Sequence, residues 1–101
     1  MPKVPDISDP KKNIPAKAWA VYIVRCADGS FYTGISNDVD KRIATHNAGK
    51  GAKYTSRRTP VTLIYSEPSE NRSTATKRER IIKKYSRAKK VSLIAGAETK
   101  A

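Results

Sequence analysis

The sequence predicts one small α+β domain, a three-stranded antiparallel sheet flanked by helices in the order β-β-α-β-α-α. Three observations carry that reading. Residues 19–26 (WAVYIVRC) and 31–35 (FYTGI) are β-branched and aromatic runs separated by a short Asp-Gly turn. Two later stretches carry apolar residues at helical spacing. A continuous apolar run at 61–65 lies between them. At 101 residues there is no room for a second core of ordinary size.

The first two runs form a hairpin whose register depends on the turn. A two-residue Asp28-Gly29 loop would pair Cys26 with Phe31 and send Tyr22 and Tyr32 to opposite faces. A three-residue loop with Gly29 in the left-handed position would pair Cys26 with Ser30 and put both tyrosines on one face. Ala-Asp-Gly fits the second, and the sequence allows either. Ser36 or Asn37 then caps a helix running to about Ala48 and ended by Gly49, with Val39 and Ile43 facing the core and Arg42 and His46 on an adjacent face. Residues 49–60 (GKGAKYTSRRTP) read as a basic loop. Residues 61–65 read as a strand covered on both sides. Ser69 or Ser73 opens a helix to about Tyr85, with Ala75, Ile82 and Tyr85 buried and Ile81 at the margin. Residues 86–94 read as a short last helix, with Val91 and Ile94 packing back. Residues 1–17, with four of the six prolines, read as a disordered tail and 95–101 as a frayed end, leaving 18–94 as the working domain.

Lys and Arg number 21 against nine Asp and Glu, a formal net charge of +12. The domain itself keeps 16 basic and six acidic residues, so the excess belongs to the fold and not to its ends. Such a charge points to a polyanion, with nucleic acid ahead of an acidic membrane. No apolar run approaches a membrane span and no secretory leader is evident. The single cysteine, Cys26, excludes an internal disulfide, and with one histidine leaves no zinc-finger ligand set. A cytoplasmic, reducing setting is the expectation, with no membrane partner and no small-molecule cofactor. Phosphate-binding glycine loops, a Ser/His/Asp set and paired carboxylates are all missing.

A few residues stand out against this background. Glu79 is the only acid between Asn71 and Ala97, among nine basic residues. It reads either as a helix ion pair with Lys83 or as a ligand for a hard, largely hydrated cation such as Mg²⁺. Arg42 and His46, four apart, are ordinary surface charges if taken singly. Together they could hold phosphate oxygens and carry a proton near neutral pH. Tyr22 and Tyr32 are core aromatics by default, but on one face beside cations a phenol could ionise more easily and accept a proton. Lys50, Lys53, Arg57 and Arg58 sit in a stretch without acids and read as a phosphate-tracking surface or as plain solvated charge.

These residues together resemble the GIY-YIG nuclease superfamily. The two halves of its signature read here Ala20-Val21-Tyr22 and Tyr32-Thr33-Gly34, ten residues apart from tyrosine to tyrosine. Arg42 and His46, Tyr54, and Lys77-Arg78-Glu79 follow in the family's order. Phrases such as CADGSFYTGISND, HNAGKGAKYT and IKKYSRAKK look like the small stand-alone bacterial (YhbQ-like) group. The resemblance implies an Mg²⁺- or Mn²⁺-dependent endonuclease hydrolysing phosphodiester bonds. DNA is the expected substrate more than RNA, single-stranded or structured DNA is favoured, and the setting is repair or processing. It implies that Tyr22 acts as general base or holds the attacking water, that Tyr32 assists, and that Arg42 stabilises charge on the phosphate. His46 would be an auxiliary proton or phosphate contact, Glu79 the metal ligand, and Gly34 a point of close backbone approach. Lys50, Lys53, Tyr54, Arg57, Arg58, Lys77 and Lys83 would contact nucleic acid. The sequence departs from the pattern at Ala20 and Thr33, and Val91 stands where many members carry an asparagine. Larger relatives gain specificity from added domains, so a protein partner for targeting is an expectation here. A non-catalytic nucleic-acid-binding module is the competing expectation.

Overall fold

The computed structural model describes residues 18–96. The tail expected at 1–17 lies outside the described residues, as do residues 97–101. Strand β1 (Ala20–Arg25) pairs antiparallel with β2 (Phe31–Ser36) on one edge and with β3 (Thr62–Pro68) on the other, giving the order β2-β1-β3. Helix α1 (Val39–Asn47) and the short α2 (Lys53–Ser56) follow β2, and α3 (Arg72–Lys83) and α4 (Arg87–Gly96) follow β3. Residues 95 and 96 thus continue the last helix.

The turn between β1 and β2 takes the longer of the two forms. The Cys26 amide donates to the Ser30 carbonyl at 2.8 Å, and Gly29 sits at φ +86°, where a side chain would be strained. In the resulting register Tyr22 lies opposite Gly34 and Val24 opposite Tyr32, so both tyrosines share a face.

The strand covered on both sides is β1, where only Arg25 escapes burial; β3 is an edge strand. The apolar run at 61–65 has a different cause. The register of β3 slips between the partners of Ile23 and Val24, leaving Ile64 as an extra residue. Ile64 and Tyr65 consequently pack into the same cluster although they are adjacent, while Leu63 joins the opposite one.

The sheet separates two clusters. Ala20, Tyr22, Val24, Cys26, Val39 and Val61, with Tyr32, Ile43 and Leu63, fill the face under α1. Val21, Ile23, Tyr65, Ala75 and Ile82, with Leu93 and Ile94, fill the face under α3 and α4. Ile94 packs back as expected, whereas Val91 is exposed.

Helix starts differ from the sequence expectation because the strands run longer. Strand β2 continues through Ser36, whose hydroxyl accepts from the Asp38 amide, and Asp38 itself caps α1 by accepting from the Lys41 amide at 3.2 Å. Strand β3 reaches Pro68, and the Ser69 amide then bonds the Trp19 carbonyl, so the cap of α3 falls to Asn71, which accepts from the Thr74 amide at 2.9 Å. The stretch expected as a loop at 49–60 holds α2. It is tied down by Asn47, whose side chain accepts from the Val61 amide at 2.6 Å and donates to the Val61 carbonyl at 3.2 Å.

Candidate active site

Strand pairing puts the first tyrosine over a glycine. A Cβ on Gly34 would stand 2.5 Å from the Tyr22 hydroxyl and 2.7 Å from Cζ, so only glycine leaves room for the phenol. From there the Tyr22 hydroxyl reaches His46 Nε2 at 2.8 Å. His46 sits in the last turn of α1 and is fully buried, unlike the surface or capping histidine that its helical position alone indicates. Its other nitrogen, Nδ1, lies 2.7 Å from the Thr55 hydroxyl, on α2. The edge of the Tyr32 ring packs on the same imidazole, with centroids 5.3 Å apart. Gly51 closes the pocket: a Cβ there would overlap the imidazole ring.

Arg42, one turn before His46, brings a positive charge near the Tyr22 oxygen, which favours its ionised form. Glu79 comes from the other side of the sheet, on α3. Its side chain is 18 % exposed and pairs with Lys83 at 3.4 Å, and Lys83 stands 5.6 Å from the centre of the Tyr32 ring. Glu79 is also near enough for its charge to be felt at Tyr22. The structure therefore draws Tyr22, Tyr32, Arg42, His46 and Glu79, widely separated in sequence, near the face of the β1–β2 hairpin that the two tyrosines share.

The ionisation of this group runs against the sequence expectation. Burial pushes the Tyr22 phenol up to about 12, outweighing the lowering by Arg42, so Tyr22 is a neutral hydroxyl at physiological pH. Burial, and secondarily the charge of Arg42, hold His46 below its ordinary value, so its imidazole is neutral as well. Of these two groups, only the neutral imidazole keeps an unprotonated ring nitrogen with a basic lone pair.

The basic residues divide. Lys50, Lys53, Arg57 and Lys77 are exposed. Arg58 is committed internally: its Nε donates to Asp28 at 3.1 Å, one terminal nitrogen donates to the Tyr54 carbonyl at 2.7 Å, and its guanidinium lies 4.0 Å from the Tyr54 ring centre. Tyr54, 40 % exposed, stacks on Tyr32 with 24° between the rings. Arg78, beside Glu79, points to a different task, holding Glu67 with two bonds of 2.8 and 3.2 Å. Val91 lines an apolar hollow with Arg25, Phe31, Ile64 and Arg87, which belong to the opposite side of the sheet or its edge.

Thr55 and Gly51 were not foreseen from the sequence. Their only trace there is position, within a short polar stretch downstream of His46; nothing in composition marks a threonine as a histidine's partner.

Helices on both faces of a three-stranded sheet, with two tyrosines, an arginine, a histidine and a glutamate brought together beside the β1–β2 hairpin, define a GIY-YIG type of domain. A family profile described as the GIY-YIG catalytic domain matches residues 18–92, and the chain belongs to that family. It is similar to a UPF0213 protein of Staphylococcus saprophyticus, 55 % identical over 74 residues, which make up 73 % of this chain and 90 % of the relative. A UPF0213 protein of Staphylococcus aureus is 57 % identical over a stretch of the same length and coverage. Among solved structures, the solution NMR structure of a protein from E. faecalis matches with a TM-score of 0.59 at 40 % identity, covering 84 % of this chain and 91 % of that one. A UPF0213 protein from Bacillus halodurans matches with a TM-score of 0.50 at 44 % identity, covering 76 % and 82 %. No helix among the described residues is long and apolar enough to cross a membrane.

Proposed function

We propose that this protein is a divalent-metal-dependent endonuclease that hydrolyses phosphodiester bonds in DNA, with single-stranded or structured DNA favoured and repair or processing as its setting. The observation that carries the reading is the hydrogen bond between the Tyr22 hydroxyl and the neutral, buried His46, beside Arg42. A water held at the phenol gives a proton to the Tyr22 oxygen as the Tyr22 hydrogen passes to His46 Nε2. The resulting hydroxide forms the new bond to phosphorus. The opposite P–O bond breaks, and the departing oxygen takes its proton from solvent. His46 ends as imidazolium and Arg42 offsets the charge gathered on the phosphate oxygens. Tyr22 is then a relay, and the proton's destination is the histidine.

The donor set suits a hard cation. Among the described residues no group of three or more His, Cys, Asp or Glu could hold a metal, and Glu79 offers one carboxylate whose contact with Lys83 is a long 3.4 Å. A single carboxylate with the remaining positions filled by water fits Mg²⁺ or Mn²⁺ and does not fit zinc. When bound, such an ion supplies Lewis-acid stabilisation of the phosphate and departing oxygen. The exposed Lys50, Lys53, Arg57 and Lys77 supply phosphate contacts, and Tyr54 offers an aromatic surface to unpaired bases.

One observation favours a second reading, a nucleic-acid-binding module without chemistry: Tyr22 is only 1 % exposed, as a core residue would be. Labelled single-stranded, duplex and branched DNA, incubated with Mg²⁺ or Mn²⁺, separates the two. Cleavage that is lost in Glu79→Ala and in Tyr22→Phe supports the nuclease. Salt-sensitive binding with no cleavage by the wild type under any metal establishes the module instead.

A further inference from the structure

We infer that Thr55 is a positioning residue for the Tyr22–His46 pair: its hydroxyl holds His46 in the Nδ1–H tautomer, which turns the Nε2 lone pair toward the phenol. The catalytic consequence rests on the nuclease reading above; the tautomer itself rests on the hydrogen-bond geometry.

The hydrogens available to the three side chains fix the direction of each bond. A neutral imidazole carries one N–H, a phenol one O–H and a threonine hydroxyl one O–H. Tyr22 is 1 % exposed, so its hydroxyl hydrogen cannot be left to solvent. The phenol's own hydrogen then needs an acceptor, and the partner in place is His46 Nε2 at 2.8 Å. Nε2 must therefore be unprotonated and Nδ1 must carry the hydrogen. At 2.7 Å from Nδ1, the Thr55 oxygen receives that hydrogen, and Thr55 passes its own to the Ala52 carbonyl at 3.0 Å. That carbonyl also accepts from the Thr55 and Ser56 amides, so it is a shared acceptor at the start of α2. In this arrangement all three hydrogens have acceptors. The other tautomer points Nε2–H at the phenol and leaves the Tyr22 hydrogen buried without a partner, an arrangement that buried polar groups avoid.

Thr55 is well placed to enforce this. It is fully buried, as is His46. The imidazole cannot turn freely, because the Gly51 backbone lies against it and the Tyr32 ring meets its edge. In the reverse tautomer the imidazole has no lone pair at the phenol, and the proton relay from water through Tyr22 has no destination.

His46 is the only histidine among the 101 residues, so a long-range ¹H–¹⁵N spectrum of the ¹⁵N-labelled full chain reads one imidazole. At neutral pH the wild type is expected to show a protonated Nδ1 and an unprotonated Nε2. Thr55→Val, equal in shape but without the acceptor, is expected to move the imidazole toward the Nε2–H form. Its metal-dependent cleavage should fall about 10²-fold. Thr55→Ser is expected to restore the tautomer and most of the rate. Should Thr55→Val fail to fold, the wild-type and Ser spectra still carry the test. A wild-type spectrum of the Nε2–H form overturns the inference, and so does a folded Thr55→Val protein that keeps the Nδ1–H form and the wild-type rate. A tautomer that follows Thr55 in a protein that cleaves no DNA supports the positioning role and refutes the nuclease reading alone.

Discussion

Replacing Gly34 by alanine tests the arrangement at its tightest point. The added Cβ would lie 2.7 Å from Tyr22 Cζ and 2.5 Å from its hydroxyl oxygen, about 1 Å inside an ordinary carbon–carbon contact. The phenol has little room to yield. Tyr22 lies on the central strand, bonded to neighbours on both sides, and its hydroxyl is fixed on His46 at 2.8 Å. Moving the ring breaks that bond and leaves Nε2 of a fully buried imidazole without a donor. Overpacking of this kind costs about 1–3 kcal/mol and the orphaned acceptor about as much again, so a loss of about 2–5 kcal/mol is expected. For a domain of this size that corresponds to a Tm lower by roughly 10–30 °C. Circular-dichroism melting measures it directly, and DNA cleavage by the same sample should drop at least about tenfold as the phenol is displaced. Gly29→Ala is the internal comparison: a Cβ there meets nothing within 4 Å, and only the φ of +86° is strained, so about 1–2 kcal/mol is expected with cleavage unchanged. A Gly34→Ala protein that melts within about 3 °C of the wild type and cleaves normally would refute the packing argument.

Three further outcomes follow from the same geometry. His46 is held below its unfolded value of about 6.5 by burial and by Arg42; the unfolded chain then binds the extra proton first, so urea-measured stability should fall as pH drops through about 6.5, and that slope should vanish in His46→Asn. Tyr22, raised to about 12, keeps its proton after an unfolded tyrosine would lose it near 10, so its contribution is intact below about pH 10 and disappears toward 12; phenolate absorbance should show a late ionisation that Tyr22→Phe removes. Arg78→Ala breaks both bonds to Glu67 and one of 3.4 Å to the Tyr85 hydroxyl, which should cost about 1–3 kcal/mol by urea titration, whereas Lys77→Ala should stay within about 0.5 kcal/mol and instead weaken DNA binding at low salt.

How far each residue could be read from the chain varies with the range of the interaction that sets it. The hairpin is a local matter of alternation and turn chemistry and was legible; the three-residue turn, and with it the common face of Tyr22 and Tyr32, was favoured by Ala-Asp-Gly but decided only by the pairing of Cys26 with Ser30. Helix starts were legible only to within a few residues, because Asp38 and Asn71 become caps once the lengths of β2 and β3 are settled by pairing with β1. Residues 61–65 misled for a related reason: a bulge at Ile64 puts adjacent side chains in one cluster, and its cause lies in the partner strand. Arg78 is the sharpest case at the site. Next to Glu79 it reads as one of nine basic residues in that stretch, yet the edge strand brings Glu67 to it and makes it a structural clamp.

Local pattern and charge by themselves determined the sheet, the longer helices and the cationic character, and the family resemblance singled out Tyr22, Tyr32, Arg42, His46 and Glu79 as candidates. Only tertiary structure decided protonation. Whether a phenol or an imidazole can take a proton depends on desolvation and on partners brought in from elsewhere in the chain, here Thr55, Gly51 and Gly34, and neither quantity is a property of the neighbours in sequence.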